Sequence, residues 1–503
     1  MPAFDPHAMP HALAALLSPP LALAQGPTMA MAEGRELVVQ ATYLAASVMF
    51  ILGMRSLTRP DHARLGMQQA AIGMLLAVVG TMLHSGIITY GWILAGLALG
   101  AALGWPMAMR VPMTAMPQFI AFSHAFGAIA ATLVGVVEYR HAVGGAADDA
   151  SAATHGLSHG IAAALGLEVL FGALTITGSF VAFGKLQELI TGRPITFRGQ
   201  NLFNAVVGLA AIFCFATLIY RPETAWAFYG VLGIALFLGV SLVLPIGGGD
   251  MPVVISLLNS YAGLAASATG FAIGNNVLII AGALEGAGGM ILSLLMSKAM
   301  NRSFANVIFG AFGSAQTAVS AKSAEGLTVK SISAEDAAVQ LAFAKQVIVI
   351  PGYGLAVAQA QHQVRELAEL IEKKGGEVKF AIHPVAGRMP GHMNVLLAES
   401  NLPYDKLLDM DEINGDFQNA DVALVIGAND VVNPAARHDA ASPIYGMPIL
   451  NADQARTIIV MKRSMAAGFA GIENELFYDP KTFMLFGDAK QSLTKIVTEV
   501  KQL

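Results

Sequence analysis

Charge is what this chain has least of. Only 13% of its 503 residues are Asp, Glu, Lys or Arg, against roughly 25% in an ordinary soluble domain. With 55% hydrophobic residues and a mean hydropathy of +0.60, most of the chain has to face lipid. The net charge of −5 offers no basic surface for nucleic acid. Cysteine is almost missing as well. Cys214 stands alone in an apolar run, which excludes an internal disulfide framework and reads as a buried, inert thiol.

Residues 1–35 read as an N-terminal extension. Ala12 to Ala24 is apolar, and Leu21–Ala24 resembles a small-residue cleavage site. No Lys or Arg precedes it, and Pro19 and Pro20 interrupt it, so a poorly structured extension is favoured over a signal peptide. Nine apolar segments follow, near residues 36–54, 66–84, 86–105, 117–137, 161–183, 203–220, 226–245, 253–272 and 276–297. Each approaches the roughly 20 residues a spanning helix needs. Odd-numbered loops carry Arg55, Arg59, Arg64, Arg110, Lys185, Arg193, Arg198, Lys298 and Arg302, whereas even-numbered ones carry only Arg140 and Arg221. The positive-inside rule then puts the odd loops and the C-terminal part in the cytoplasm. The expected organisation is a transmembrane domain over 36–300, a linker over 301–340 and a soluble domain over 341–503.

The soluble part alternates strands and helices. Val347–Ile350 is a short, β-branched, buried strand, closed by Pro351. Gly352, Gly354 and Val357 fit G-x-G-x-x-[GAV], and helix formers run on from Ala358 to about 373. Strand, glycine turn and helix form the context of a dinucleotide fingerprint. Gly352 permits the turn, Gly354 admits a pyrophosphate, the helix start offers N–H donors, and slim Val357 lets helix and strand approach. Further strands are expected at Val378–Ile382, near Leu408–Met410, at Asp421–Ile426, Met447–Leu450, Thr457–Met461 and Phe483–Phe486. A last helix is expected over Ala489–Lys501. About six strands with crossover helices make one Rossmann-like, doubly wound parallel sheet.

A carboxylate is missing where an NAD-specific unit would keep one. The second strand runs into His383 and, beyond it, Arg388, not into Asp or Glu. A cation there favours a phosphorylated ribose, hence NADP over NAD. Lys462, Arg463 and Ser464 end another strand and are a candidate for a second phosphate clamp; a solvated charge run is the plainer alternative, but that usually has acidic partners and none stands next to them in sequence. Gly427, Ala428, Asn429 and Asp430 also follow a strand, where they could bond ribose or carboxamide, or form only a turn. Within the spans, ionisable and amide groups are functional candidates because they are costly there. These are His124, Asn259 beside Ser260, Glu168 and Glu285. Asp250 stands at the mouth of the seventh helix. Histidine titrates near working pH, while a structural histidine and an asparagine that only joins helices are the plainer alternatives. The glycines Gly282, Gly286, Gly288 and Gly289 read as close helix packing.

These segments together resemble the beta subunit of the proton-translocating NAD(P) transhydrogenases of bacteria. The resemblance covers roughly 36–503. It rests on Ile120–Gly127, Gly249–Gly270, Gly282–Phe304, Pro351–Gln361, His383–Leu397, Gly427–Ala436, Lys462–Ser464 and Leu485–Lys490. It implies a proton-conducting membrane domain in which His124 and Asn259 match the family's channel residues and Asp250 joins the path. It also implies an NADP(H) site on the sheet. Gly352, Tyr353, Gly354, Leu355, Ala356 and Val357 would contribute from the first strand's turn. Val385, Ala386, Gly387, Arg388, Met389 and Pro390 would follow the second strand. Gly427, Ala428, Asn429, Asp430 and Val431 would follow, with Asp430 coupling protonation to cofactor binding. Lys462, Arg463 and Ser464 would clamp the 2′-phosphate, and Gly468, Phe469, Gly487, Asp488 and Ala489 would complete the site. Phe469 replaces a usual tyrosine, so that hydroxyl is lost although the ring could still pack over the cofactor. The resemblance further implies NAD(H) on an alpha subunit, a dimer of heteromers in the inner membrane, and neither metal nor flavin. A transporter or channel with a nucleotide-sensing domain also joins spans to such a sheet, as would a structural membrane subunit with a vestigial nucleotide fold.

Overall fold

The computed structural model describes residues 27–59, 62–84, 90–148, 157–191, 195–197, 199–247, 250–299, 304, 328–387, 391–439, 442, 444–466, 468 and 472–503. Of residues 27–33, Met113, 144–148 and Asn201, only the backbone is described. Residues 1–26, Arg193, Arg198, Arg302, most of the 301–340 stretch, Arg388, Met389, Pro390 and Phe469 lie outside these residues.

Nine helices among the described residues are long and apolar enough to cross a membrane, and they fall on the nine apolar segments read from the sequence. They are α1 Pro27–Leu57, α2 Ala63–Met82, α3 Gly91–Arg110, α4 Met116–Asp148, α5 His159–Leu186, α6 Gln200–Tyr220, α7 Ala225–Val243, α8 Met251–Ile273 and α9 Asn276–Ala299. Two bounds differ most from expectation. Helix α1 begins at Pro27, inside the stretch read as extension, and α4 runs on to Asp148, so that Arg140 is helical rather than in a loop.

The chain divides into two compact units, residues 1–102 and 103–503. In the first, α1 and α2 form a hairpin whose seam is made of glycines. A Cβ on Gly66 would stand 2.7 Å from Gly53 O, and one on Gly73 would stand 3.1 Å from Ala46 O. Lipid gives helices no hydrophobic reason to associate, so close backbone approach through small residues has to supply the contact.

In the second unit α4 packs on α5 and α8, and α8 on α9. The α8–α9 seam uses the same chemistry. Gly263, Gly282, Gly286 and Gly289 face each other or Ser256, Ser260 and Ser267. Ser260 Oγ donates to Gly286 O at 2.6 Å, and Ser256 Oγ to Gly289 O at 2.9 Å. Gly288 is the exception among the predicted packing glycines, since a Cβ there meets open space. Lys185, read as a loop charge, is buried at 2% exposure. Its ammonium donates to Leu244 O and, at 2.7 Å, to Ile246 O, so it closes the C-terminal end of α7 where carbonyls lack partners.

The sheet domain holds six parallel strands in the order β3-β2-β1-β4-β5-β6. They are β1 Gln346–Pro351, β2 Glu377–Ile382, β3 Leu407–Asp409, β4 Val422–Ile426, β5 Thr457–Lys462 and β6 Thr482–Phe486. Helices cover both faces, which is why the strands are continuously apolar. Val347, Val349, Phe380, Leu424 and Ile459 join one core layer; Ile348, Ile350, Ala381, Val425 and Val460 join the other. The first layer packs under α10 Ala334–Ala342, α12 Gln361–Lys373 and the last helix Ala489–Gln502. Helix α10 therefore belongs to this core although it lies within the stretch read as linker.

Two expectations fail locally. The helix after the glycine turn is not continuous. A six-residue α11, Tyr353–Ala358, stops at Gln359 with φ +49°, and α12 restarts at Gln361. The break lets α11 leave the strand end while α12 lays Val364, Leu367, Ala368 and Ile371 on the sheet. Met447–Leu450 is not a strand either. Leu450 N donates to Val431 O at 2.9 Å, and Asn414 bonds both Ile449 O and Asn451 N, so local turns rather than a ladder satisfy its backbone.

Candidate functional site

The register brings Pro351 level with Ile426, Ile426 with Met461, and Lys462 with Phe486. The segments that leave β1, β4, β5 and β6 therefore emerge on one edge of the sheet. Chain order reverses between β1 and β4, the switch point at which open α/β sheets bind ligands.

Here two glycine turns press backbone against backbone. Gly352 N donates to Ile426 O at 2.9 Å, and Gly354 N to Gly427 O at 3.0 Å. A Cβ on Gly354 would stand 2.7 Å from Gly427 Cα, and one on Gly352 would strike Ala428 N and Gly427 O. Gly427 itself holds φ +65°, a conformation that favours glycine. Gly352 and Gly354 serve the β1–β4 turn contact, and their N–H groups are bonded within it. Val357 departs from its expected packing: it is 41% exposed, whereas Leu355 and Ala356 are buried against the domain.

Around this contact lie others of the predicted residues that the structure describes. Asp430 opens a short turn, Asp430–Val432, with Val431 in the core beneath it. A Cβ on Gly468 would strike the Asn429 amide and stand 2.5 Å from Asp430 Oδ1, so the segment after β5 folds over the turn after β4. Lys462 Nζ donates to Ala466 O at 2.5 Å and lies 4.8 Å from the Phe477 ring centroid. Burial pulls the Lys462 ammonium below the ordinary lysine range, and the nearby Asp430 carboxylate offsets part of that. The acid absent from the sequence neighbourhood of Lys462 is thus supplied through space. Arg463 and Ser464 are exposed, and Arg463 makes no ion pair with a described residue. Gly487 N donates to Lys462 O at 3.1 Å, which ties the β6 turn to the clamp. Asp488 accepts from Gln491 N at 3.1 Å and caps the helix Ala489–Gln502.

The turn after β2 joins at β1's other flank. Val385, Ala386 and Gly387 leave the strand, and Gly387 at φ +106° lies against the His392 ring, which meets Tyr353 edge-on at 6.2 Å. His383 departs from its expected role. It is 2% exposed, its Nε2 meets Pro448 O at 2.8 Å, and Val385 N donates to its Nδ1 at 3.3 Å. The proton is therefore on Nε2, and burial lowers the pKa from 6.5 to about 4. His383 is neutral and holds the turn; it is no phosphate cation. Asn474 was not anticipated. It is 2% exposed and donates to Asn429 O at 2.9 Å and Oδ1 at 3.1 Å. No spacing in the sequence connects positions 429 and 474.

A second centre lies between spanning helices. His124 on α4 places Nε2 against Asn259 Oδ1 of α8, and Nδ1 2.8 Å from Ile120 O. A neutral imidazole has one N–H. The ring as placed faces two acceptors, which suits an imidazolium; with the Asn259 amide reversed, Nδ2 donates and the neutral ring is satisfied. Both protonation states thus have complete hydrogen bonds. Asp250 immediately precedes α8, nine residues from Asn259 and so roughly 14 Å of helix rise away. Glu168, noted in the sequence only as an ionisable group in a span, is fully buried. Its Oε1 accepts from Thr269 Oγ1 at 2.8 Å, and a Cβ on Gly135 would stand 2.9 Å from its carboxyl carbon. The short turn Met113–Ala115, at the entry to α4, runs alongside α11.

Residues 39–499 match the family model described as NAD(P) transhydrogenase beta subunit. Two sequences from Rhodospirillum rubrum, one of them assigned to a defined strain, bear the name NAD(P) transhydrogenase subunit beta. Each is 50% identical to this chain over 463 residues, which is 92% of this chain and 98% of the relative.

Proposed function

The chain belongs to the family of NAD(P) transhydrogenase beta subunits, and we propose that it couples proton flow across the inner membrane to hydride transfer from NADH to NADP⁺. In this reading the sheet edge binds NADP(H), the sheet domain is cytoplasmic, and protons cross the bundle at His124 and Asn259. The observation that carries the reading is the His124–Asn259 pair, because it joins a titratable imidazole to an amide inside a spanning bundle, with both ring nitrogens in hydrogen-bond contact. Ionisable groups within spans mark ion pathways.

The sheet edge fits an NADP(H) ligand. Arg463 and Ser464 are exposed beside Lys462 and would hold the 2′-phosphate by charge-assisted bonds. The Asn429–Asp430–Gly468 contact and the Gly487 turn would line the rest. The cofactor, when bound, supplies or accepts the hydride. This chain carries one such edge, so the NAD(H) comes from an alpha subunit, and the working complex is a dimer of heteromers.

The NAD and NADP couples have nearly equal potentials, so proton flow can drive the reaction only by changing NADP(H) affinity. Linkage makes that coupling reciprocal. Protonation of His124 acts on the end of α4 that carries Met113–Ala115, which runs alongside the helix of the glycine turn, and Asp430 beside Lys462 responds at the cofactor edge.

The test uses membranes holding this chain with its alpha subunit. His124→Asn should abolish the stimulation of NADPH formation by a proton gradient while bound NADP(H) is retained. Stimulation that survives unchanged refutes the role of His124. Failure of wild-type membranes to form NADPH from NADH would favour a nucleotide-regulated channel instead.

A further inference from the structure

The carboxylate of Glu285 on α9 interacts electrostatically with His124. Its level in the bundle follows from the α8–α9 seam. Across it, Gly282 faces Gly263 and Ser267, Gly286 faces Leu264, and Gly289 faces Ser256 and Ser260. The helices are antiparallel, so Glu285 stands level with about Gly263. That is about four residues beyond Asn259, or roughly 6 Å of helix rise, away from the Asp250 end of α8. Ser260 Oγ reaches Gly286 O at 2.6 Å. This fixes Asn259 and Glu285, the immediate neighbours of those two residues, on the rims of one tight contact. Glu285 is nine residues into α9, well inside the span, and its side chain remains accessible there.

Other ionisable groups near this contact are engaged elsewhere. On α8, Tyr261 stacks on Phe171 at 5.3 Å, and Asp250 is a helix turn and more beyond Asn259 on the opposite side. On α5, Glu168 is bonded to Thr269, and Lys185 to Leu244 and Ile246. On α9, Lys298 is at the far end. His124 is the only ionisable group α4 brings to this level.

We propose that Glu285 is a proton carrier for His124, standing one helical turn to the outer side of the His124–Asn259 pair. In the transfer the carboxyl O–H of Glu285 breaks as an N–H forms on the His124 ring, leaving carboxylate and imidazolium. Net charge in the pair is unchanged and no redox step is involved. The opposite charges so formed stabilise each other in a medium of low dielectric, and reprotonation of Glu285 from the outer side follows when His124 releases its proton inward. A carboxyl group within a span is costly and is therefore a functional candidate by default.

This proposal rests on the proton-conducting reading above, and the experiment separates the two. In membranes with the alpha subunit, NADPH formation from NADH is measured with and without a proton gradient, across pH, for wild type, Glu285→Gln, Glu285→Asp and His124→Asn. Glu285→Gln should lower the gradient-stimulated rate at least about a hundredfold, the low end of what a positioned proton-transfer group contributes. Glu285→Asp should restore most of it with a shifted pH profile. NADP(H) bound per chain, measured on the intact complex, should match wild type in both, which excludes misfolding. If His124→Asn abolishes stimulation and Glu285→Gln keeps the wild-type rate and pH profile, Glu285 carries no proton. If Asp fails to rescue a Gln variant that binds NADP(H) normally, a titrating role is likewise refuted. If His124→Asn itself leaves stimulation intact, the parent reading falls first.

Discussion

His383 makes a quantitative test of how the cofactor edge is held. Its pKa falls from 6.5 to about 4 on burial. The folded state therefore resists protonation that the unfolded chain accepts. Stability from this group is complete above pH 6.5 and is lost as pH falls toward 4. The loss works out to about 2 kcal/mol at pH 5 and about 3 kcal/mol at pH 4. The perturbation is His383→Gln, whose amide can still donate to Pro448 O but cannot titrate. Losing the acceptor for Val385 N should cost about 1 kcal/mol at pH 7. The variant is then less stable than wild type at neutral pH, and the gap closes or reverses near pH 5. Hydrogen exchange of the β1 and β2 amides in the solubilised protein reads the sheet domain directly. Parallel pH dependence in wild type and variant between pH 6.5 and 4.5 would refute the neutral, proton-excluding histidine.

Two further perturbations probe the same edge. Gly354→Ala puts a Cβ 2.7 Å from Gly427 Cα, where neither backbone can yield cheaply. A cost of about 1–3 kcal/mol and loss of NADP(H) binding by calorimetry are expected, and unchanged binding would show the contact to be looser than described. Arg463→Ala should weaken NADP(H) binding about ten- to a hundredfold, in line with a lost charged hydrogen bond, with no change in thermal stability. Lys462→Ala should cost stability as well, because its ammonium also serves Ala466 O and packs over Phe477. Equal NADP(H) affinity in Arg463→Ala and wild type would remove that residue from the clamp.

The nine spans and the alternating β/α pattern were readable from the chain because both are one-dimensional signals. A spanning helix needs some 20 apolar residues in a row, and a parallel strand covered on both faces has to be continuously apolar. Clusters at strand ends were readable for the same reason, since Gly352, Gly427 and Lys462 each follow such a run. Everything that depends on which strand lies beside which was not. Only the order β3-β2-β1-β4-β5-β6 decides that Gly354 packs on Gly427, that Asp430 reaches Lys462 and that Asn474 holds Asn429. In the membrane, hydropathy showed His124, Asn259, Glu168 and Glu285 as unusual residues in four different spans. Packing of α4 on α8 decided that His124 meets Asn259, and the α8–α9 seam of Gly263, Gly282, Gly286 and Gly289 set Glu285 about one turn from that pair, because in lipid it is close backbone fit, not apolarity, that chooses a helix's neighbour. Burial, likewise a property of the assembled sheet, turned His383 from an expected cation into a neutral brace.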